Sequence, residues 1–146
     1  MLLDKIHLDD LEVGLKADNW EDAIRKSSRW LLAKGAIEQS YVEGMVTAIK
    51  ENGPYIVIAP HVALAHTRPE YGANTLGISF SLLEAPIPFG SDTNDPVKLI
   101  ITFSSVDNES HLDLLSELVD VLMDDERMER LFSAKSKDAV YNILTE

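Results

Sequence analysis

Three strand-like runs occupy the middle of this 146-residue chain, and their apolar character dictates that any sheet built from them is covered on both sides. They are Tyr55-Ile-Val-Ile-Ala59, Thr75–Leu83 and Val97-Lys-Leu-Ile-Ile-Thr-Phe103. The first is continuous and β-branched, as a strand buried on both faces would be. Pro60 cannot donate to a sheet ladder, so that strand is expected to stop there. In the second, Leu76, Ile78, Phe80 and Leu82 share one face and alternate with Gly77, Ser79 and Ser81. The third follows the turn-rich stretch Gly90-Ser-Asp-Thr-Asn-Asp-Pro96.

Helical patterns lie before and after these runs. Asn19 is placed to cap a helix whose apolar positions are Trp20, Ala23, Ile24, Ser27, Trp30 and Leu31, with Glu21 and Asp22 at its positive end. Gly35 offers a left-handed stop. A second helix is predicted over about residues 39–51, striped by Tyr41, Val42, Met45, Val46 and Ile49 and ended by Gly53-Pro54. Beyond Glu109, Leu114, Leu115, Leu118 and Leu122 form another stripe, with Val121 and Met123 at its margins. Asp124-Asp125 interrupts it before a short helix over Arg127–Ala134, and Ser136 caps a last one carrying Val140, Ile143 and Leu144. The segment from Leu2 to Ala17 mixes a short helix with a strand around Leu11–Leu15. The expected fold class is α/β, a mixed central β-sheet flanked by helices on both faces, with strand order left open.

Composition narrows the partners. With 13 Lys+Arg against 25 Asp+Glu, the net charge of −12 disfavours nucleic-acid phosphates and anionic lipid and favours partner surfaces carrying Lys or Arg. The chain has no cysteine, which excludes a disulfide framework, a thiolate metal cluster and a cysteine nucleophile, and permits a cytosolic location. Neither a secretory signal nor a membrane span of ~20 apolar residues is expected. The length corresponds to one domain over residues 1–146.

Four histidines are the chemical candidates: His7, His61, His66 and His111. His7 reads as a surface or packing residue. His61 and His66 follow a predicted central strand, where ligand chemistry collects in open α/β sheets; a site and a solvated loop both fit the residues alone. The five-residue separation is expected to bring His61 to the rim of the pocket around His66. His111 stands near a helix start, which suits either an anion site or an incidental imidazole beside a cap. His61, His66 and Glu70 are conceivable metal ligands, but no His-Glu-x-x-His or cysteine-containing zinc pattern is present. Gly-x-Ser-x-Gly, Gly-x-x-x-x-Gly-Lys-Ser/Thr and Gly-x-Gly-x-x-Gly are absent as well, which removes support for a serine hydrolase or a nucleotide site.

Gly53-Pro-Tyr-Ile-Val-Ile-Ala-Pro60, continued by Ala63-Leu-Ala-His-Thr-Arg-Pro-Glu70, resembles the active-site segment of IIA proteins of the bacterial phosphoenolpyruvate-dependent sugar phosphotransferase system, mannitol/fructose type. The His66-Thr-Arg-Pro-Glu70 ending is most similar to the ascorbate branch. Asn94-Asp-Pro-Val-Lys-Leu-Ile-Ile-Thr102 resembles that branch's Asp-Pro-Val strand entry, and His111-Leu-Asp-Leu-Leu115 its second-histidine helix. The likeness runs in register from about Trp20 to the end.

The resemblance implies a mannitol-type IIA fold and a cytoplasmic phosphoryl relay. His66 matches the histidine that accepts phosphate from the carrier protein HPr and passes it to a cysteine on a cognate IIB component, which is linked to a membrane IIC transporter. His111 matches the second active-site histidine, and Arg68 is the candidate cation beside the phosphate. No metal or cofactor is implied. A phosphorylation-sensing regulatory module on the same fold, not feeding transport, is the alternative. The chain departs from the family pattern Ala-Pro-Gly-x-Ala-x-Pro-His at two positions: His61 stands where glycine is usual, and Ala65 where proline is. Histidine resists positive φ and adds bulk near the expected site, and loss of proline frees the backbone before His66.

Overall fold

The computed structural model describes residues 2–146, with the side chains of residues 2, 4 and 108–111 outside the description. Two short 3₁₀ turns, Leu2–Lys5 and Leu8–Asp10, lead into strand β1 (Leu11–Leu15). Helices α1 (Trp20–Ser27), α2 (Arg29–Ala33) and α3 (Gln39–Asn52) follow. Then come β2 (Val57–Ala59), β3 (Val62–Ala65), a 3₁₀ turn at Pro69–Tyr71, β4 (Gly77–Ile87) and β5 (Val97–Ser104). Helices α4 (Asn108–Leu122), α5 (Asp125–Phe132) and α6 (Lys137–Leu144) close the chain. None of the helices is long and apolar enough to cross a membrane, among the described residues.

The five-stranded sheet has the order β1-β4-β5-β3-β2. Parallel pairs (β1 with β4, β3 with β5) and antiparallel pairs (β4 with β5, β2 with β3) alternate across it, so the sheet is mixed as expected. Period-two alternation divides the core. Ala63, Ala65 and Ile100 face Ile24, Leu31, Tyr41 and Met45 of α1–α3. Val62, Leu64, Leu99, Ile101 and Phe103 face Leu114, Leu118, Met128, Leu131 and Val140 of α4–α6. Both faces are covered by helices.

Several elements differ from the sequence expectation. The run at residues 55–59 is not a central strand. Only Val57–Ala59 pairs, at the sheet edge, and Ile58 stays 44% exposed. The interior strand is β3, reached through a hairpin at Pro60-His61, and all four of its residues are buried. Proline is tolerated at this turn because an edge strand needs no donor there. His61 adopts φ +67 despite its side chain. It is held there by its N–H donating to Asn94 O (2.9 Å), its carbonyl accepting from Lys98 N (2.8 Å), and its Nδ1 donating to Pro96 O (2.7 Å).

The predicted helix from Trp20 to Leu31 breaks at Ser28. There the Ser28 hydroxyl donates to Ile24 O at 2.7 Å, a local competitor of the helical ladder. Just before the break, the Ser27 carbonyl accepts from Ser79 and Thr102 hydroxyls of the sheet (3.5 and 3.4 Å). Strand β4 begins two residues later than expected and runs on to Ile87, leaving Leu76 exposed. The short helix predicted over Arg127–Ala134 starts at Asp125, capped by Asp124.

The caps at Asn19 and Ser136 hold: Asn19 accepts from Asp22 N at 2.8 Å and Ser136 from Ala139 N at 3.1 Å. Removing the first cap in Asn19→Ala is expected to destabilise the protein by about 1 kcal/mol. Urea unfolding followed by far-UV circular dichroism reads it as a lower midpoint at unchanged slope.

Candidate functional site

His66 is the first residue beyond β3. Pairing of Val62, Ala63, Leu64 and Ala65 with Leu99, Ile100, Ile101 and Thr102 holds the strand that delivers it. The ring is half-buried, and its Nδ1 lies 2.7 Å from the Leu64 carbonyl. A carbonyl oxygen only accepts, so Nδ1 carries the proton and the neutral ring's lone pair sits on Nε2. That is the form in which imidazole is a nucleophile.

Two tyrosines meet at the peptide that joins this residue to Thr67. The Tyr55 hydroxyl donates to the His66 carbonyl at 2.6 Å, and the Tyr55 ring stands edge-on to the imidazole, with centroids 5.6 Å apart and planes at 77°. The Thr67 N–H donates to the Tyr41 hydroxyl at 3.2 Å, and Tyr41 donates to Phe103 O at 2.8 Å. Burial pushes the Tyr41 phenol up to about 12 and the Tyr55 phenol upward as well. Sequence reading missed both. Tyr41 was one position of an apolar stripe and Tyr55 the start of a strand, and periodicity carries no signal for where a hydroxyl points.

His66 and Tyr55 open onto a cleft of roughly 980 Å³ that is also lined by Gly44, Thr47 and Glu51 of α3 and by Arg68 and Tyr71. Gly44 lets the Tyr71 ring approach, since a Cβ there would lie 3.2 Å from it. Arg68 is exposed and forms an ion pair with Glu70 at 4.0 Å. Such a pair contributes about 0–1 kcal/mol, too little to keep the guanidinium from a stronger anion. Glu43 also lines the cleft, but its charge is matched. Arg25 donates to both its oxygens (2.5 and 2.9 Å), and these bonds, with one from Gln39, hold its carboxyl down to about 2.

His66 and Arg68 both line the cleft. It does not include His61. Because β3 intervenes, the two histidines stand at opposite ends of one strand, about 16 Å apart at ~3.3 Å per residue. The expectation that His61 lies at the rim of the same pocket is thus overturned. His61 instead lines a separate hollow with Leu122 and Met128, its ring edge-on to Phe132 at 5.9 Å. The side chain of His111 lies outside the described residues. Its helix α4 begins four residues after β5 ends, and β5 runs parallel to β3, so the start of α4 is at the His66 end of the sheet. His7 is exposed, and its N–H donates to the Asp10 carboxylate at 2.9 Å. No group of three or more His, Asp or Glu side chains converges as metal ligands would, among the described residues.

Comparison with known proteins places this geometry in context. Residues 5–146 match the model of the phosphoenolpyruvate-dependent sugar phosphotransferase system, EIIA 2. The ascorbate-specific PTS system EIIA component of Escherichia coli strain K12 is 32% identical over 135 residues, 92% of this chain and 88% of the relative. Among solved structures, the mannitol-specific cryptic phosphotransferase enzyme IIA of Escherichia coli superposes with a TM-score of 0.90 at 35% identity, covering 99% of both chains. A structure of Escherichia coli enzyme IIA-Mtl in complex with phosphorylated enzyme IIB-Mtl gives a TM-score of 0.84 at 26% identity, covering 97% of both. The fold is thus the mannitol-type IIA fold.

The separation of the two histidines has a direct consequence. In His61→Gly, acylation of His66 by diethyl pyrocarbonate is expected to proceed at the wild-type rate, because distant sites without shared partners act independently. Peptide mapping over a time course measures it, and a changed rate at His66 would put the two rings in one site.

Proposed function

The chain belongs to the phosphoenolpyruvate-dependent sugar phosphotransferase system EIIA 2 family, and from that premise we propose that it is a cytoplasmic phosphocarrier working through His66. The observation that carries the reading is the bond from His66 Nδ1 to the Leu64 carbonyl, which puts the nucleophilic lone pair on Nε2. Nε2 attacks the phosphorus of phosphohistidine on HPr. The new P–N bond forms as the bond to the HPr imidazole breaks, and the electron pair returns to that ring. In the second transfer a cysteine thiolate of a IIB component attacks the same phosphorus, and His66 leaves as neutral imidazole.

Both steps spread negative charge over three equatorial oxygens, so catalysis is mainly alignment and charge stabilisation. Arg68, exposed and lightly held by Glu70, is placed to supply the guanidinium. The start of α4 at the same sheet end offers backbone N–H groups. His111, near that start, takes the role of the second active-site histidine that the sequence resemblance implies, orienting His66 or donating to the phosphoryl group.

A IIB partner is supported by the relative solved in complex with phosphorylated IIB, and the ascorbate-specific relative supports ascorbate or a related sugar acid as the transported compound. IIB would in turn serve a membrane IIC transporter, with residues 1–146 acting as one relay domain.

Incubation with phosphoenolpyruvate, enzyme I and HPr is expected to label the wild type with acid-labile phosphate and to leave His66→Ala unlabelled. His111→Ala is expected to slow transfer to the IIB cysteine by about 10²–10³, the effect of losing one preorganised donor. Undiminished labelling of His66→Ala would contradict the assignment. Labelling by HPr without transfer to any IIB would favour the regulatory role instead.

A further inference from the structure

Residues 66–68 lie between the end of β3 and the 3₁₀ turn at Pro69, so no sheet ladder or helix fixes their backbone. The peptide unit joining His66 to Thr67 is nevertheless held at both of its polar ends. Its carbonyl accepts from Tyr55 at 2.6 Å, and its N–H donates to Tyr41 at 3.2 Å. The two hydroxyls come from different elements. Tyr41 is buried in α3 and tied to β5 through Phe103 O, whereas Tyr55 sits in the loop before β2 and is 38% exposed at the cleft.

We infer that Tyr55 is a positioning residue for phosphoryl transfer: its hydroxyl, working against the Tyr41 anchor, fixes the His66–Thr67 peptide and thereby aims Nε2. The inference rests on His66 being the phosphoryl acceptor. Packing alone does not account for the arrangement, because phenylalanine would make the same edge-on contact with the imidazole. Nor does a need for hydrogen bonding, because a phenol this exposed has water as an alternative partner. Instead its short bond goes to the main chain of the histidine itself. Burial raises both phenols above their ordinary value, so each is protonated and able to donate at neutral pH. In-line transfer is sensitive to such aim: a misplacement of ~1 Å can slow a reaction by about 10²-fold. With alanine rather than proline at position 65, the residue before His66 adds no rigidity of its own.

Tyr55→Phe removes the hydroxyl and keeps the ring. Single-turnover transfer from phospho-HPr is expected to slow by about tenfold or more, with half-saturation by phospho-HPr unchanged. In ¹⁵N spectra of the free protein, the His66 ring is expected to gain Nε2–H tautomer at the expense of Nδ1–H. Tyr55→Leu, which also loses the ring, is expected to be at least as slow. Transfer at the wild-type rate in Tyr55→Phe, or an unchanged tautomer population, would overturn the inference. The spectra need no phosphoryl donor. If phospho-HPr fails to label the wild type, the relay reading falls, while the tautomer comparison still decides for or against the Tyr55 clamp.

Discussion

The pairing of β3 with β5 is the constraint on which the rest of this structure depends. Four residues, Val62–Ala65, are buried on both faces and locked in parallel register to Leu99–Thr102. Their alternation divides the interior into two layers, one under α1–α3 and one under α4–α6. The same short strand ends at His66. His66 thus stands just beyond a strand buried in the middle of the molecule, while its own backbone has left the ladder. A parallel neighbour has a further consequence: β5 ends on the same side, so the helix that follows it starts where His66 emerges. A position at a strand end beside a helix start follows from topology, before any side chain is considered.

Chemistry is then set by short-range hydrogen bonds. The Leu64 carbonyl chooses the tautomer, Tyr55 and Tyr41 hold the following peptide, and Arg68 waits at the cleft in a weak pair. On the cleft wall, the Glu43 carboxylate is neutralised by Arg25. The overall charge of −12 leaves partner surfaces bearing Lys or Arg favoured on approach.

Much of the fold was legible in the sequence. Val97–Phe103 announced a strand covered on both sides, and Asn19 and Ser136 announced helix starts, because each signal is local and strong. Val62-Ala-Leu-Ala65 was not legible: it is four residues long, half alanine, and preceded by a proline that seemed to end the sheet. That single omission misplaced His61. Five residues of loop can fold back on themselves, but five residues containing a strand span about 16 Å. His66 was found at a strand end all the same, although the strand is β3 rather than the edge strand β2. The break at Ser28 escaped because a helical period does not reveal a serine hydroxyl turned back onto the Ile24 carbonyl. The tyrosine hydroxyls escaped for the same reason.

The central claim is that the main chain at Leu64 determines which nitrogen of His66 reacts, and the phosphorylated protein tests it most directly. With ¹⁵N-labelled histidine, the ³¹P-coupled nitrogen of phospho-His66 is expected to be Nε2, while Nδ1 keeps its proton, protected from exchange by the bond to the carbonyl. Phosphorus on Nδ1 of His66 would contradict the account, because it would require that hydrogen bond to be absent when the transfer occurs.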